Sequence, residues 1–125
     1  MKNIFIIFSF FTIVFSQNLI SIVTQTHNDG ELPSKIYYYQ KSNNKLNLVK
    51  IEMYYESGQQ KLERDIKRGK LISWHENGQI KEKSNIRDGE LNGLSITYYE
   101  NGQKESEGRY LDNQKDGEWK YWNRN

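Results

Sequence analysis

A glycine-centred tetrapeptide returns three times in the chain: Glu56-Ser57-Gly58-Gln59, Glu76-Asn77-Gly78-Gln79 and Glu100-Asn101-Gly102-Gln103, at spacings of 20 and 24 residues. Self-similarity at such a period is the mark of a repeat array, in which each unit covers its neighbour. An aromatic pair or its near equivalent precedes each tetrapeptide: Tyr54-Tyr55, Trp74-His75 and Tyr98-Tyr99. A fourth pair, Tyr121-Trp122, lies 23 residues beyond the third. Asn-Gly is the strongest short signal for a two-residue type I′ hairpin turn, because both central residues there need positive φ. Asn77-Gly78 and Asn101-Gly102 fit that turn directly, and Ser57-Gly58 is a weaker version. Gly69, then Asp88-Gly89 with Asn92-Gly93, then Asp116-Gly117 form a second set of punctuators between them. Each unit therefore reads as strand, tight turn, strand, looser turn.

Period-2 alternation supports strands between the turns. Leu94, Ile96 and Tyr98 share one face, with Ser95 and Thr97 on the other. Ile72 and Trp74 align with Ile96 and Tyr98, and Trp119 with Tyr121 is assigned to the same two slots. On this reading Tyr54, Trp74, Tyr98, Trp119 and Tyr121 line up as a ladder of rings for packing or binding, each cross-strand contact worth ~0.2–1 kcal/mol. Lys81-Glu82-Lys83 and Lys104-Glu105-Ser106-Glu107 read as solvated strand faces. Helix loses the competition for these charged runs because Gly recurs through them and no apolar i, i+3, i+4 pattern exists.

The residues Tyr98-Tyr99-Glu100-Asn101-Gly102-Gln103-Lys104, followed by Gly117-Glu118-Trp119-Lys120-Tyr121-Trp122, resemble the variant MORN repeat of bacteria, including proteins of the YwqK antitoxin type. The resemblance covers residues 49 to 125. It implies an all-β fold of tandem antiparallel hairpins stacked into an elongated, twisted single-layer sheet. It also implies a role in neutralising a partner toxin. Departures are local: Ser57 replaces Asn, His75 stands where a second Tyr is usual, and Val49, Ile51, Met53 and Tyr55 lie on the face opposite Tyr54.

Three segments are expected: a signal peptide at 1–16, a polar segment at 17–45, and the hairpin array at 46–125. Met1-Lys2-Asn3 followed by the run of 12 residues from Ile4 to Phe15 has the layout of a secretory signal and is too short to span a bilayer, which takes roughly 20. Cleavage is expected between Ser16 and Gln17, placing the protein outside the cell or in the envelope. All five Phe leave with the signal, while nine Tyr and three Trp remain. Tyr and Trp bury a ring while keeping a polar group wet, which suits a thin, half-exposed structure. Within 17–45, Gln17 to Asp29 lacks a periodic core, whereas Ile36-Tyr37-Tyr38-Tyr39 leads through Ser42-Asn43-Asn44 as a strand capping the array.

Charge and chemistry narrow the function. Removing Lys2 with the leader leaves 17 basic against 16 acidic residues, net +1, well interspersed. No basic stripe of the kind nucleic-acid binders carry is present, and no Lys/Arg cluster favours anionic membranes. The absence of cysteine removes disulfides, thiolate metal sites and a Cys nucleophile. His27 lies in a polar segment expected to be mobile. His75 sits in a strand with no nucleophile placed beside it, and no zinc spacing is found. Glu56, Glu76 and Glu100 recur at every turn, so they serve the unit rather than a reaction. No catalytic, cofactor or metal site is assigned. The reading is a non-enzymatic module whose partner is another protein, with toxin neutralisation and surface glycan binding as alternatives. An open array of this kind exists as a monomer or as an edge-paired dimer.

Overall fold

The computed structural model describes residues 19–27 and 32–124; the expected signal peptide lies outside the described residues. Nine strands occur among them: β1 (Leu19–His27), β2 (Leu32–Ser42), β3 (Lys45–Tyr54), β4 (Gln60–Asp65), β5 (Arg68–Trp74), β6 (Ile80–Arg87), β7 (Glu90–Tyr98), β8 (Lys104–Leu111) and β9 (Gln114–Tyr121). They form one antiparallel sheet in simple chain order, each strand hydrogen-bonded to its sequence neighbours. The expected all-β, single-layer architecture is what the chain adopts. The boundary drawn at residues 45 and 46 falls at the first residues of β3. The segment before it supplies two full strands, β1 and β2, rather than one capping strand, because β1 pairs with β2 from Leu19↔Gln40 to His27↔Leu32.

Two kinds of turn alternate, and their assignment reverses the one expected. The Asn-Gly positions are not type I′ turns. At each of them the amide of Gly58, Gly78 or Gly102 donates to the carbonyl of Tyr55, His75 or Tyr99 at 2.9 Å. Those three Gly have φ of 82–83°, while Ser57, Asn77 and Asn101 stay outside the positive-φ region. This is a three-residue loop, a type I turn closed by a left-handed glycine. The Asn side chain decides the outcome: Asn77 Oδ1 accepts from Gln79 N at 3.0 Å and Asn101 Oδ1 from Gln103 N at 3.1 Å. Such a local bond holds Asn in an ordinary conformation and leaves the strain to glycine. The tight turns lie at the opposite ends of the strands. Asn43-Asn44, Asp88-Gly89 and Asp112-Asn113 each have positive φ at both central residues. Asp116-Gly117, expected as a turn, lies inside β9, where Gly117 opens a bulge opposite β8.

Pairing defines the two faces. Met53, Leu62, Ser73, Glu82, Thr97, Ser106 and Tyr121 are successive cross-strand partners in one unbroken row. Beside it runs the row Ile51, Arg64, Leu71, Ser84, Ser95 and Gly108. The opposite face carries Glu52, Glu63, Ile72, Lys83, Ile96, Glu107 and Lys120. Tyr54, Trp74 and Tyr98 belong by alternation to that second face. Trp119 and Tyr121 do not; they share the face of Ser95 and Thr97. The expected alignment slipped by one residue, and in a strand a one-residue slip moves every side chain to the other face. The partner of Trp74 and Tyr98 at the 24-residue period is Trp122. Nor do Tyr54, Trp74 and Tyr98 touch, since the ring contacts are Tyr37–Tyr39, Tyr110–Trp119 and Trp119–Tyr121.

A single layer has little interior. Ile86 is the one fully buried apolar side chain among the described residues, whereas Glu52, Ser84, Ser95 and Ser106 are buried and polar. Cohesion therefore comes from hydrogen bonds more than from an apolar core. Backbone bonds continue the β3–β4 and β7–β8 ladders past the strand ends, as in Ile66 N to Val49 O and Asn113 N to Leu91 O, both 3.0 Å. Side chains join each hairpin to the next at the three-residue-loop end. Tyr55 donates to Trp74 O at 2.9 Å and Tyr99 to Trp122 O at 2.7 Å. His75 Nε2 reaches Tyr98 O at 2.8 Å and His27 Nε2 reaches Tyr54 O at 3.0 Å. A carbonyl only accepts, so each of these imidazole nitrogens carries its proton. The second residue of each of the first three aromatic pairs is thus a rung joining neighbouring units, and His75 fills a Tyr slot because it reaches the equivalent acceptor. His27, expected in a mobile segment, is the first rung.

Candidate binding groove

The face that carries Ser84 and Ser95 is grooved. One cleft of about 330 Å³ is lined by Glu82, Ser95, Thr97, Glu105, Ser106, Tyr110, Lys115, Trp119 and Tyr121. A second, of about 240 Å³, is lined by Met53, Tyr55, Lys61, Leu62, Leu71, Ser73, Trp74, Lys81 and Glu82. Glu82 belongs to both, and the row from Met53 to Tyr121 runs through the two. Period 2 puts Met53, Leu62, Leu71, Ser73, Glu82, Ser95, Thr97, Ser106 and Tyr121 on one face, and the meander order then sets them side by side.

Small residues make the floor of the larger cleft. Ser84 Oγ donates to Glu82 Oε1 at 2.6 Å, which leaves Ser95 Oγ to donate to Ser84 Oγ across 2.7 Å. Thr97 and Ser106 bond to each other at 2.7 Å. At the β9 end the floor gives way to a wall. Gly108 lies directly under the Trp119 indole; a Cβ there would stand 2.3 Å from Cδ2 of the ring. Tyr110 meets that indole edge-on at 5.1 Å between centroids, and Tyr121 stacks on it at 6.3 Å. The Lys115 ammonium lies 4.3 Å from the Trp119 centroid and 5.3 Å from that of Tyr121, and donates to the Tyr121 hydroxyl at 2.8 Å. That hydrogen bond holds the Lys115 pKa above its ordinary value.

The other face carries a closed polar cluster. Tyr38 and Tyr54 donate to Glu52 Oε2 at 2.6 and 2.7 Å, and Lys50 donates to Oε1 at 2.6 Å. Burial alone would raise the Glu52 carboxyl, but the bonds from Lys50, Tyr38 and Tyr54 outweigh it and hold the group below the usual carboxylate range. Both phenols are pushed up, first by burial and then by the hydrogen bond to the Glu52 charge. Both carboxylate oxygens are thereby occupied, which makes this a staple between β2 and β3.

Of the residues singled out from sequence, Trp119 and Tyr121 line the larger cleft, and Trp74 lines the smaller. Tyr54 belongs to the Glu52 staple and Tyr98 to the face opposite the groove. Gly58, Asn77, Gly78, Asn101 and Gly102 build the three-residue loops. Both imidazoles are engaged with backbone carbonyls, and Ser84, the serine bonded to a carboxylate, is only 2 % exposed. No cluster of three His, Cys, Asp or Glu fit to hold a metal ion occurs among the described residues. Glu82, Glu105, Tyr110 and Lys115 were missed, although Tyr110 and Lys115 flank the Asp112-Asn113 turn. The rung at His27 also had a signal, since His27-Asn28-Asp29-Gly30-Glu31 parallels His75-Glu76-Asn77-Gly78-Gln79 letter class by letter class.

An open antiparallel meander of hairpins, joined by rungs and grooved on one face, is a repeat array rather than a globular domain. Residues 67–88 and 91–112 each match the family described as MORN repeat variant. These two stretches are accordingly MORN-type repeats, the hairpins β5–β6 and β7–β8 with the same 24-residue offset. Repeats of this family generally serve as interaction modules rather than enzymes. No curated protein and no solved structure matches the chain.

Proposed function

We propose that the protein is an exported interaction module of the bacterial envelope that holds an extended segment of a partner protein along its grooved face. The observation that carries this reading is the unbroken row from Met53 to Tyr121, which joins two clefts across seven strands, β3 to β9. A compact small molecule would be served by one enclosed pocket; two shallow clefts sharing Glu82 suit a segment laid across the strands. Apolar Met53, Leu62 and Leu71 at one end and the rings of Tyr110, Trp119 and Tyr121 at the other offer anchors of the kind that dominate protein interfaces. Export rests on the apolar run Ile4 to Phe15 behind Lys2. Charge interspersion along the chain gives nucleic acid and anionic membranes no focus. Neutralisation of a partner toxin is a special case of the same reading, and a bound glycan is the alternative that the Trp119 and Tyr121 rings favour.

A photo-crosslinking residue placed at Thr97, in the groove, is compared with one at Lys83, on the other face, in cells producing the full chain. A discrete protein adduct at Thr97 and none at Lys83 is the expected result. Adducts at both positions alike, or at Lys83 alone, would overturn the assignment of the groove.

A further inference from the structure

The larger cleft contains two carboxylates without a cation and an aromatic wall that already accepts one. Glu82 and Glu105 both line it. The ion pairs among the described residues are Lys50–Glu52, Arg87–Asp88 and Lys104–Glu107, so neither carboxylate has a basic partner within ion-pair distance. The hydrogen bond to Glu82 comes from the hydroxyl of Ser84. Glu82, half-buried in that state, attracts a cation more strongly than a carboxylate in open water, because the surrounding dielectric is lower; Glu105 adds its charge from the exposed side. The wall opposite is fitted to an alkylammonium, as Lys115 demonstrates by placing its own Nζ over Trp119 and Tyr121. The floor offers little: the protons of Ser84 and Ser95 are used within the Glu82–Ser84–Ser95 chain, and Thr97 and Ser106 share one bond. A sugar needs several free hydrogen-bonding partners beneath its ring, and this floor leaves one hydroxyl proton unused.

We infer that the cleft receives a lysine side chain of the partner protein, its ammonium between Glu82 and Glu105 and its methylenes along the rings of Trp119 and Tyr121. This rests on the reading of the grooved face as a protein-binding face. Charge pairing at the carboxylates and burial of the methylenes against the rings act together there. Lys115 is the internal competitor: its ammonium occupies the ring face and repels an incoming one.

The test uses the isotopically labelled protein and two short peptides, acetyl-Gly-Gly-Lys-Gly-Gly-amide and the same peptide with Nε-acetyllysine. The lysine peptide is expected to shift the Trp119 indole N–H and the amides of Thr97 and Ser106, and the acetylated peptide to bind about tenfold more weakly. Glu82→Gln combined with Glu105→Gln should weaken the lysine peptide by about tenfold, while Lys115→Ala should tighten it. Retained amide dispersion in each variant shows that the fold is intact. Equal binding of the acetylated peptide, or no effect of the paired Gln substitutions, overturns the inference. So does a chitin trisaccharide that shifts the same resonances when the lysine peptide does not. If the lysine peptide fails while the Thr97 adduct persists, the inference falls and the protein-binding reading stands; loss of the Thr97 adduct tells against the reading itself.

Discussion

Replacing Glu52 with Ala is expected to destabilise the protein by about 2–4 kcal/mol, the range for breaking a buried, hydrogen-bonded charge pair. The residue is 7 % exposed and serves three donors at once. Without it two phenols and an ammonium lose their acceptor, in a sheet with scarcely any apolar core to compensate. For a domain of this size that loss corresponds to a fall in Tm on the order of 10–20 °C, read by thermal denaturation followed in the near-ultraviolet. Glu52→Gln keeps the shape and one acceptor oxygen, and should lose about half as much. A drop below about 0.5 kcal/mol in the Ala variant would show that the cluster is ornamental.

The same cluster fixes a pH dependence. The Glu52 carboxyl is depressed on folding, so its contribution is present above the unfolded carboxylate pKa of about 4.3 and is lost as pH falls through the folded value. The gap in stability between wild type and Glu52→Gln should therefore narrow below about pH 4. Tyr38 and Tyr54 are raised on folding, so their contribution holds below about pH 10 and is lost as pH rises through the folded values.

The second large effect is at Gly108. Gly108→Ser places a Cβ where Cγ, Cδ2 and Cε2 of Trp119 stand within 2.6 Å. The contact is with the fused ring itself, so the indole has to leave the sheet. Overpacking together with lost ring burial is expected to cost about 2–3 kcal/mol, accompanied by a red shift of tryptophan emission. The repeat supplies its own control. At the 24-residue offset Gly108 corresponds to Ser84 and Trp119 to Ser95, and those two serines share a hydrogen bond. Gly108→Ser combined with Trp119→Ser rebuilds that pair one unit later, so the double variant should fall short of the summed single losses by at least about 1 kcal/mol. Strict additivity would mean that Trp119 does not rest on Gly108.

Much of this architecture was legible because glycine punctuation and charge patterning are local signals. The Gly58, Gly78 and Gly102 loops, the Ser42-Asn43-Asn44 turn and the inverted face of Val49, Ile51 and Met53 all follow from residue type and period. What escaped depends on partners distant in sequence. Turn type at Asn77 and Asn101 is set by where the amide oxygen bonds, which composition does not express. The frame of β9 was lost because Tyr121-Trp122 imitates the earlier aromatic pairs one residue out of phase, and the face of Trp119 went with it. Glu52 interrupts an apolar strand, and only pairing brings Tyr38 to it. The groove suffered most: Glu82 and Glu105 look like ordinary solvated charges until the meander sets them beside Trp119.

Side-chain rungs at equivalent positions join the units, and His75 tests this most directly. His75→Tyr installs the residue that makes the rung at Tyr55 and Tyr99, whereas His75→Ala removes the rung. Thermal denaturation at neutral pH is expected to show His75→Tyr within about 0.5 kcal/mol of the wild type and His75→Ala lower by about 1–1.5 kcal/mol, the worth of one half-buried hydrogen bond with its packing. If Tyr at this position proves as damaging as Ala, the rungs do not hold the array together.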